Sequence, residues 1–285
     1  MKWLITGAQG FLGSRVAAHY EARHEVVRLT HADVDIADAR QVAALVQGLR
    51  PDGVIHCAAL SDTGYAQQHP DESAAVNLRG TVNVASACRL TGCKLVYMSS
   101  DQVYDGLQQQ GALPEESALY PANVYGTHKL QAEQQVADVW LQAVGLRLTW
   151  MYDLPSSAFR PNRGLAVNLA RACTDGLSLR AAVREFRGIT CVWDVVERLE
   201  ACFALPGGVY NFGCENRLNS YDTYFAAAVA MGLPDPQTWI TPDTDRFVGR
   251  VRNLAMDLGK LRAQGMDFPT TTAGFHRWLG NDSSK

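Results

Sequence analysis

The sequence predicts an α/β fold built on a doubly wound parallel sheet, with a smaller C-terminal portion attached. Three observations predict it. Apolar runs of strand length alternate with segments of helical period through the first half of the chain. Those runs are mostly apolar, without regular alternation with polar residues, as in strands buried on both faces. A glycine-rich turn joins the first run to the first helical segment.

Residues 2–5 form the first strand and 11–22 the first helix. The run 25–29 is the second strand, 39–49 a helix and 53–57 the third strand. Residues 71–91 read as one long helix, with apolar Ala75, Leu78, Val82 and Ala85 on one stripe. Strand 94–99 follows, then a long helix over 124–143 and a fifth strand over 147–151. Beyond Tyr152 the pattern loosens, punctuated by Pro155, Pro161, Gly164, Gly176 and Gly188. There 194–204 and 221–231 read as helices, 208–212 as a strand, 234–245 as loop, 258–264 and 272–279 as short helices, and 281–285 as a frayed tail. The division expected is a dinucleotide-binding domain over 1–153, taking back 190–213, and a smaller substrate-binding portion over 154–189 and 214–285.

The charge balance, 26 basic against 29 acidic residues for a net −3, argues against a partner recognised through excess Lys and Arg, so neither nucleic acid nor an acidic membrane is expected. An apolar fraction of 47% excludes wholesale disorder. No apolar run is long enough to span a bilayer, and the start, MKWLITGAQG, is too short in apolar residues for a signal peptide. Seven cysteines with no CxxC pair, most of them among apolar neighbours, read as buried thiols in a reducing cytoplasm. Cys88 and Cys93 lack a nearby His, and no metal site is expected.

The turn Gly7-Ala8-Gln9-Gly10-Phe11-Leu12-Gly13 has the spacing GxxGxxG between a strand and a helix. Gly7 permits the tight turn, Gly10 lets the backbone approach a pyrophosphate, Gly13 lets helix and strand pack closely, and the helix N-terminus attracts the anion. This predicts a dinucleotide. An acidic residue at the end of the second strand would favour NAD, but none stands near Thr30, whereas Arg28 and His31 would meet a 2′-phosphate, so the balance leans to NADP. Asp35-Ile36 would hold the adenine edge, or Asp35 would cap a helix beside Asp38.

Tyr125 and Lys129 stand four residues apart, on one face of a helix. The pair follows Ser99-Ser100-Asp101 at the end of the fourth strand, where open α/β sheets place ligands. The set fits carbonyl reduction with hydride from nicotinamide C4: Tyr125 donates the proton, Lys129 lowers the phenol pKa, and Ser100 holds the substrate oxygen.

With these residues the chain resembles the extended short-chain dehydrogenase/reductase family. Gly7, Gly10 and Gly13, Cys57-Ala58-Ala59 after the third strand, Ser100, and Tyr125 with Lys129 match its landmarks. Within the family, Ser99-Ser100-Asp101-Gln102-Val103-Tyr104-Asp105-Gly106, Asn123-Val124-Tyr125-Gly126-Thr127-His128-Lys129-Leu130 and Arg147-Leu148-Thr149-Trp150-Met151-Tyr152 are similar to segments of the dTDP-4-dehydrorhamnose reductase group. The resemblance implies a Rossmann domain and NAD(P)H-dependent reduction of a 4-keto nucleotide deoxysugar. It makes Ser100, Tyr125 and Lys129 catalytic. Cys57, Ala58 and Ala59 would line the cofactor, and Asp101 and Trp150 would touch the sugar. Arg250, in Arg250-Val251-Arg252-Asn253, would hold the nucleotide diphosphate or stand as an exposed charge in an Arg cluster.

Departures fall in the substrate segments. Val251 replaces the family's proline, and residues 60–67 lack its usual acidic residues. Two other readings stay open: a nucleotide-sugar epimerase with retained NAD, and a non-catalytic regulatory subunit of the same fold. The two long helices offer faces for a homodimer. Trp150, Tyr152, Phe159 and Phe186 line a pocket or fill a core, with Phe186 assigned to the core.

Overall fold

Twelve strands are present among the described residues of the computed structural model, which are 1–154, 156, 158, 159 and 164–280. Pro155, Pro161 and the tail at 281–285 lie outside them. In chain order the strands are β1 Lys2–Thr6, β2 Glu25–Leu29, β3 Gly53–His56, β4 Lys94–Ser100, β5 Val144–Leu148, β6 Trp150–Tyr152, β7 Leu179–Ala182, β8 Glu185–Arg187, β9 Ile189–Cys191, β10 Gly208–Phe212, β11 Ile240–Asp243 and β12 Arg252–Leu254. The chain divides into two units, one of 1–105, 118–148 and 196–210, the other of 106–117, 149–195 and 211–280. Relative to the division expected from sequence, 106–117, 149–153, 190–195 and 211–213 go with the second unit.

The first unit is organised by a six-stranded sheet in the order β10-β5-β4-β3-β1-β2. The pairings β5 with β4, β4 with β3, β3 with β1 and β1 with β2 are all parallel. The chain runs outward from β1 to β2 and then crosses to β3 on the other side of β1. The crevice beyond the C-terminal ends of β1 and β3 is therefore the switch point of the sheet, where such folds bind ligands.

Strand residues alternate between two covered faces. Leu4, Val54, Leu95 and Tyr97 meet Val42, Val46, Val84 and Val136 from the flanking helices. On the other face Trp3 lies 4.6 Å from Tyr20, 4.0 Å from His24 and 5.2 Å from Phe203 between ring centroids. Each aliphatic side chain so buried contributes roughly 1.5–3 kcal/mol.

Three departures from the expected elements have physical causes. The segment 71–91 is not one α-helix: Pro70–Ser73 and Thr81–Thr91 flank a π-helical stretch, Ala74–Gly80. Within it the Asn77 amide exchanges two bonds of 3.0 Å with the Leu60 backbone, a pairing that offsets the wider helical turn. The second long helix ends at Val139, and Trp140 turns out of helical geometry with φ −146° and ψ 88°. This starts β5 three residues earlier than the apolar run suggests. The expected strand 147–151 is two strands, β5 in the main sheet and β6 paired with β9.

In the second unit, helices Leu165–Thr174, Ser220–Ala230 and Thr271–Leu279 enclose Tyr152, Leu169, Ile189, Ala227, Ile240 and Phe275. Three parallel strand pairs, β6 with β9, β7 with β11 and β8 with β12, complete it. Residues 234–245, expected as loop, hold the helix Pro236–Trp239 and β11. The expected helix 194–204 is two short ones, Val192–Val196 and Leu199–Cys202.

Candidate active site

The glycine turn leaves β1 and enters the helix Phe11–Tyr20. Gly7 sits at φ +64°, and a Cβ there would stand 2.7 Å from both Cα and N of Ala58. The turn is thus pressed onto the chain leaving β3, closed by Gly10 N–H donating to Gly7 O at 2.8 Å. Gly10 is the N-cap and supplies no side chain, so the first-turn N–H groups face outward uncapped. Gln9 and Gly10 are exposed, Phe11 is half-buried and Leu12 buried. A cradle with no room for Cβ atoms, opening onto bare helix N–H groups at the switch point, fits a dinucleotide pyrophosphate.

Beneath it runs a hydrogen-bond chain with a readable direction. Thr81 Oγ1 donates to Asn77 O at 2.9 Å, so it accepts from His56 Nε2 at 3.2 Å. His56 Nδ1 then accepts from Thr6 Oγ1 at 2.7 Å, and Thr6 Oγ1 accepts from Ala58 N–H at 3.2 Å. Burial holds the His56 pKa down to about 3, keeping the ring neutral for both roles. This buried link between the ends of β1 and β3 was missed from sequence, where Thr6 and His56 are isolated letters.

At the tip of β2 the expectation that no carboxylate is present is corrected. Asp33 folds back, accepting from Thr30 N at 2.8 Å and Thr30 Oγ1 at 2.7 Å. The spacing Thr30-x-x-Asp33 was the available signal. Arg28 is exposed and held by Glu21 through bonds of 2.5 and 2.7 Å, and His31 is exposed. Asp35 accepts from Ala37 N–H at 2.9 Å, closing its own turn, while Asp38 caps the helix Ala39–Leu49. Ile36 is buried, and its carbonyl accepts from Asn83 at 2.9 Å.

Tyr125 and Lys129 lie one turn apart on the helix Val124–Val139, 6% and 2% exposed. Asn123 caps this helix by accepting from Gly126 N–H at 2.8 Å and donates to Asp105 at 2.9 Å. Gly126 has no alternative, because a Cβ there would run into the Gln102 carbonyl. That approach places Tyr125 where Ser100 acts on its phenol, pulling its pKa down against the effect of burial. Ser100 Oγ also accepts from Gln102 N–H at 3.2 Å, capping a short 3-10 turn, and donates to Asp101 at 3.3 Å.

Lys129 Nζ donates to Met98 O at 2.8 Å and stands 5.8 Å from the Tyr125 ring centroid. Its charge also acts on Cys57. The ammonium thus lies against the chain at the ends of both β3 and β4. Burial brings Lys129 down to about 8 and pushes Cys57 up to about 12. Tyr125 is pushed above its ordinary value by burial and by Asp101, with Ser100 pulling the other way. This reverses the direction expected from Lys129: desolvation of a fully enclosed phenol outweighs a cation that spends its hydrogen bond on Met98 O.

The structure therefore brings Gly7, Gly10, Cys57, Ala58, Ser100, Asp101, Tyr125 and Lys129 onto adjoining strand ends of one sheet. Ala59 is exposed beside Ala58. Trp150 and Arg250 belong to the second unit. Trp150 is half-buried, with the Arg187 guanidinium 5.5 Å over its ring. Arg250 lies 5.5 Å from the Phe247 ring, which Arg246 and Arg252 also approach at 5.1 and 5.6 Å. Phe186, expected in the core, is half-buried and lines a cavity of about 660 Å³ with Arg217, Asn253 and Arg262. Among the described residues no cluster of His, Cys, Asp and Glu is placed to hold a metal, and no helix is long and apolar enough to cross a membrane.

Comparison with known proteins bears on the family and the fold. A dTDP-4-keto-6-deoxy-D-glucose reductase from Streptomyces niveus is 36% identical over 154 residues, 53% of this chain and 53% of that protein. The match thus spans about half the length of that relative. A methionine adenosyltransferase 2 subunit beta from Xenopus laevis is 27% identical over 280 residues, 92% of this chain and 82% of that protein. Among solved structures, a dTDP-4-dehydrorhamnose reductase from Bacillus anthracis in complex with NADP superposes with a TM-score of 0.85 at 23% identity, covering 100% of this chain and 99% of that one, a likeness of fold. The RmlD substrate binding domain family matches residues 1–266, and to that family this chain belongs.

Proposed function

We propose that the protein is an NAD(P)H-dependent reductase of the 4-keto group of a nucleotide-activated deoxysugar. The observation that carries this reading is Lys129 one helical turn after Tyr125, both buried, with Ser100 acting on the phenol, at strand ends adjoining the glycine cradle. The reductase name of the Streptomyces niveus relative supports the substrate class. A bound nicotinamide supplies the hydride that the ketone carbon receives. Ser100 Oγ donates a hydrogen bond to the substrate oxygen as negative charge develops on it. Tyr125 Oη passes its proton to that oxygen, and the Lys129 ammonium offsets the charge left on the phenolate. Burial of Tyr125 and Lys129 keeps water from competing for the proton. Asp101 beside Ser100, and Trp150 and Arg250 in the second unit, are assigned to the sugar and its diphosphate. With Arg28 engaged by Glu21 and Asp33 turned onto Thr30, the tip of β2 carries features for either cofactor, and both are tested.

The test is oxidation of NADPH and of NADH by the purified protein with dTDP-4-keto-6-deoxy-L-mannose, followed by absorbance of the reduced nicotinamide. Turnover is expected with at least one cofactor. Cofactor binding without turnover would overturn the reading in favour of a regulatory subunit, and a tightly retained NAD with no net oxidation would favour an epimerase.

The charge on Lys129 also predicts a pH profile. Its folded pKa of about 8 lies below the ordinary lysine value, so the productive ammonium is present below pH 8 and is lost as the pH rises through it. We expect kcat to fall above about pH 8, and this limb to disappear in Lys129→Met, whose residual rate is measured over the same range.

A further inference from the structure

The hydrogen bonds that begin at the glycine turn continue past Thr81 and end on the helix that carries Tyr125 and Lys129. Ala58 N–H donates to Thr6 Oγ1, Thr6 to His56 Nδ1, His56 Nε2 to Thr81 Oγ1, and Thr81 to Asn77 O, at 3.2, 2.7, 3.2 and 2.9 Å. Asn77 then carries the series on through its own side chain. Its Nδ2 donates to Leu60 O at 3.0 Å and to Ser73 Oγ at 3.1 Å. Ser73 Oγ in turn lies 2.9 Å from His128 Nδ1. His128 stands three residues after Tyr125 and one before Lys129 on the helix Val124–Val139.

The direction of the last bond follows from counting protons. Asn77 Nδ2 can only donate, so Ser73 Oγ accepts from it. Ser73 is 0% exposed, and its hydroxyl meets no partner but Asn77 and His128 among the described residues. Its own proton therefore goes to His128 Nδ1, because a buried hydroxyl proton without an acceptor is destabilising. His128 is then neutral with its proton on Nε2, and every bond from Ala58 to His128 is donated in the same direction. A charged His128 carries a proton on Nδ1 as well, and two donors would meet. Burial and the Arg79 charge on the π-helical stretch both hold the His128 pKa below its ordinary value, which favours the neutral ring. The other titratable groups on the elements packed against this helix are engaged elsewhere or exposed. Glu72 accepts from Tyr65 Oη at 2.7 Å, His69 stacks on the Tyr65 ring at 4.1 Å, and Asp101 accepts from Ser100 and Gln102. Asp71, Arg89 and Lys94 are exposed. On the same helix Lys129 donates to Met98 O and Glu133 pairs with Arg147.

We infer that Ser73 and neutral His128 are positioning residues for the proposed reduction: their bond ties the helix of Tyr125 and Lys129 to the π-helical stretch and, through Asn77 and Thr81, to the glycine turn. The inference rests on the reading of Tyr125 as proton donor and Lys129 as its electrostatic partner. Both residues act through that pair rather than on the substrate. Tyr125, His128 and Lys129 occupy successive turns of one rigid helix, so a shift at His128 displaces the other two. The segment before the π-helical stretch holds the same helix at a second point, where Val124 N–H donates to Gln67 Oε1 at 3.3 Å.

The bond and its direction are read without turnover. Nitrogen–proton correlation spectra of the full chain, isotope-labelled at its 7 histidines, give the tautomer and pKa of each ring, and the His128 signal is the one lost in His128→Asn. We expect the proton on Nε2 in the wild-type chain, and a higher His128 pKa in Ser73→Ala, which no longer donates to the neutral ring. Amide hydrogen exchange over 124–130 is expected to speed by about 5–10-fold in His128→Leu, the loss of one net hydrogen bond, and to stay near wild type in His128→Asn, whose Oδ1 stands in for Nδ1. In the reduction, His128→Leu is expected to lower kcat by about 10–100-fold with the cofactor KM unchanged, and His128→Asn to recover most of it. Wild-type kcat is expected to fall as the pH drops through the His128 pKa, below the ordinary 6.5, and this acid limb to vanish in His128→Asn. A proton on Nδ1, a His128 pKa indifferent to Ser73→Ala, or unchanged exchange in His128→Leu overturns the inference whether or not ketones are reduced. An unchanged kcat in His128→Leu overturns the positioning role. A wild-type chain that meets the spectroscopic and exchange expectations without turnover ends the reductase reading instead and leaves the tie between the helices standing. If Ser73→Ala fails to fold, the wild-type tautomer and the His128→Leu exchange decide.

Discussion

Tyr125→Phe is expected to lower kcat for ketone reduction by about 10²–10⁴-fold while leaving NADPH affinity within a few-fold of wild type. The substitution deletes one oxygen from a side chain that is otherwise enclosed, so the ring keeps its packing and only the proton donor goes. A loss of this size corresponds to about 2.7–5.4 kcal/mol of transition-state stabilisation. Single-turnover measurement separates it from any change in binding. Because burial raises the Tyr125 pKa, the group holds its proton firmly through neutral pH, which suits a donor in the reductive direction. The reverse oxidation needs the phenolate, and it is expected to show a steeper rise with pH. A variant retaining full reduction would move the proton source elsewhere and end the assignment.

The largest stability effect is expected at Arg147. Its guanidinium is buried and holds Glu133 through contacts of 2.7, 3.1 and 3.3 Å. It also donates to the Tyr104 hydroxyl at 2.7 Å, and Ser99 Oγ donates to Glu133. The pair with Glu133 holds the Arg147 pKa above its already high value, so this cation does not escape by losing its proton. Arg147→Met strands the Glu133 carboxylate in a site with 4% exposure, at a cost of about 3–5 kcal/mol. The measurement is the urea midpoint of the full chain followed by tryptophan fluorescence. The double variant Arg147→Met with Glu133→Gln is expected to recover most of the loss, because it removes the stranded charge. Equal loss in both would mean that packing rather than charge dominates. The network also bears on the site, since Glu133 lies one turn beyond Lys129 on the same helix and Ser99 precedes Ser100. A fall in kcat should therefore accompany the loss of stability in the single variant.

Much of the candidate site was legible because its chemistry is local in the chain. A glycine turn between a strand and a helix, and a Tyr and Lys at i and i+4, are fixed by a few residues in a row. Backbone geometry then puts them where the letters say. The same holds for the central strands β1, β3 and β4 of the main sheet, whose apolar runs are buried on both faces, whereas β2 at the edge keeps Glu25 and Arg28 exposed. What the letters left out was long-range. Thr6 reaches His56 across fifty positions, and Glu133 reaches Arg147 from helix to strand. No periodicity marks either partner. Asp33 was passed over because it lies beyond the strand end in sequence and returns to it only through its side chain.

Local spacing alone was enough to read the parallel α/β architecture of the first unit, the glycine cradle and the shared helix of Tyr125 and Lys129 after β4. Each of these follows from short-range spacing acting through regular backbone geometry. The tertiary structure decided the rest. It broke the long helix at Ala74–Gly80, where the Asn77 side chain pairs with Leu60, and it set the charge states of Tyr125 and Lys129. Those depend on how completely distant segments exclude water from a side chain, and desolvation is a property of the packed chain that no stretch of letters carries.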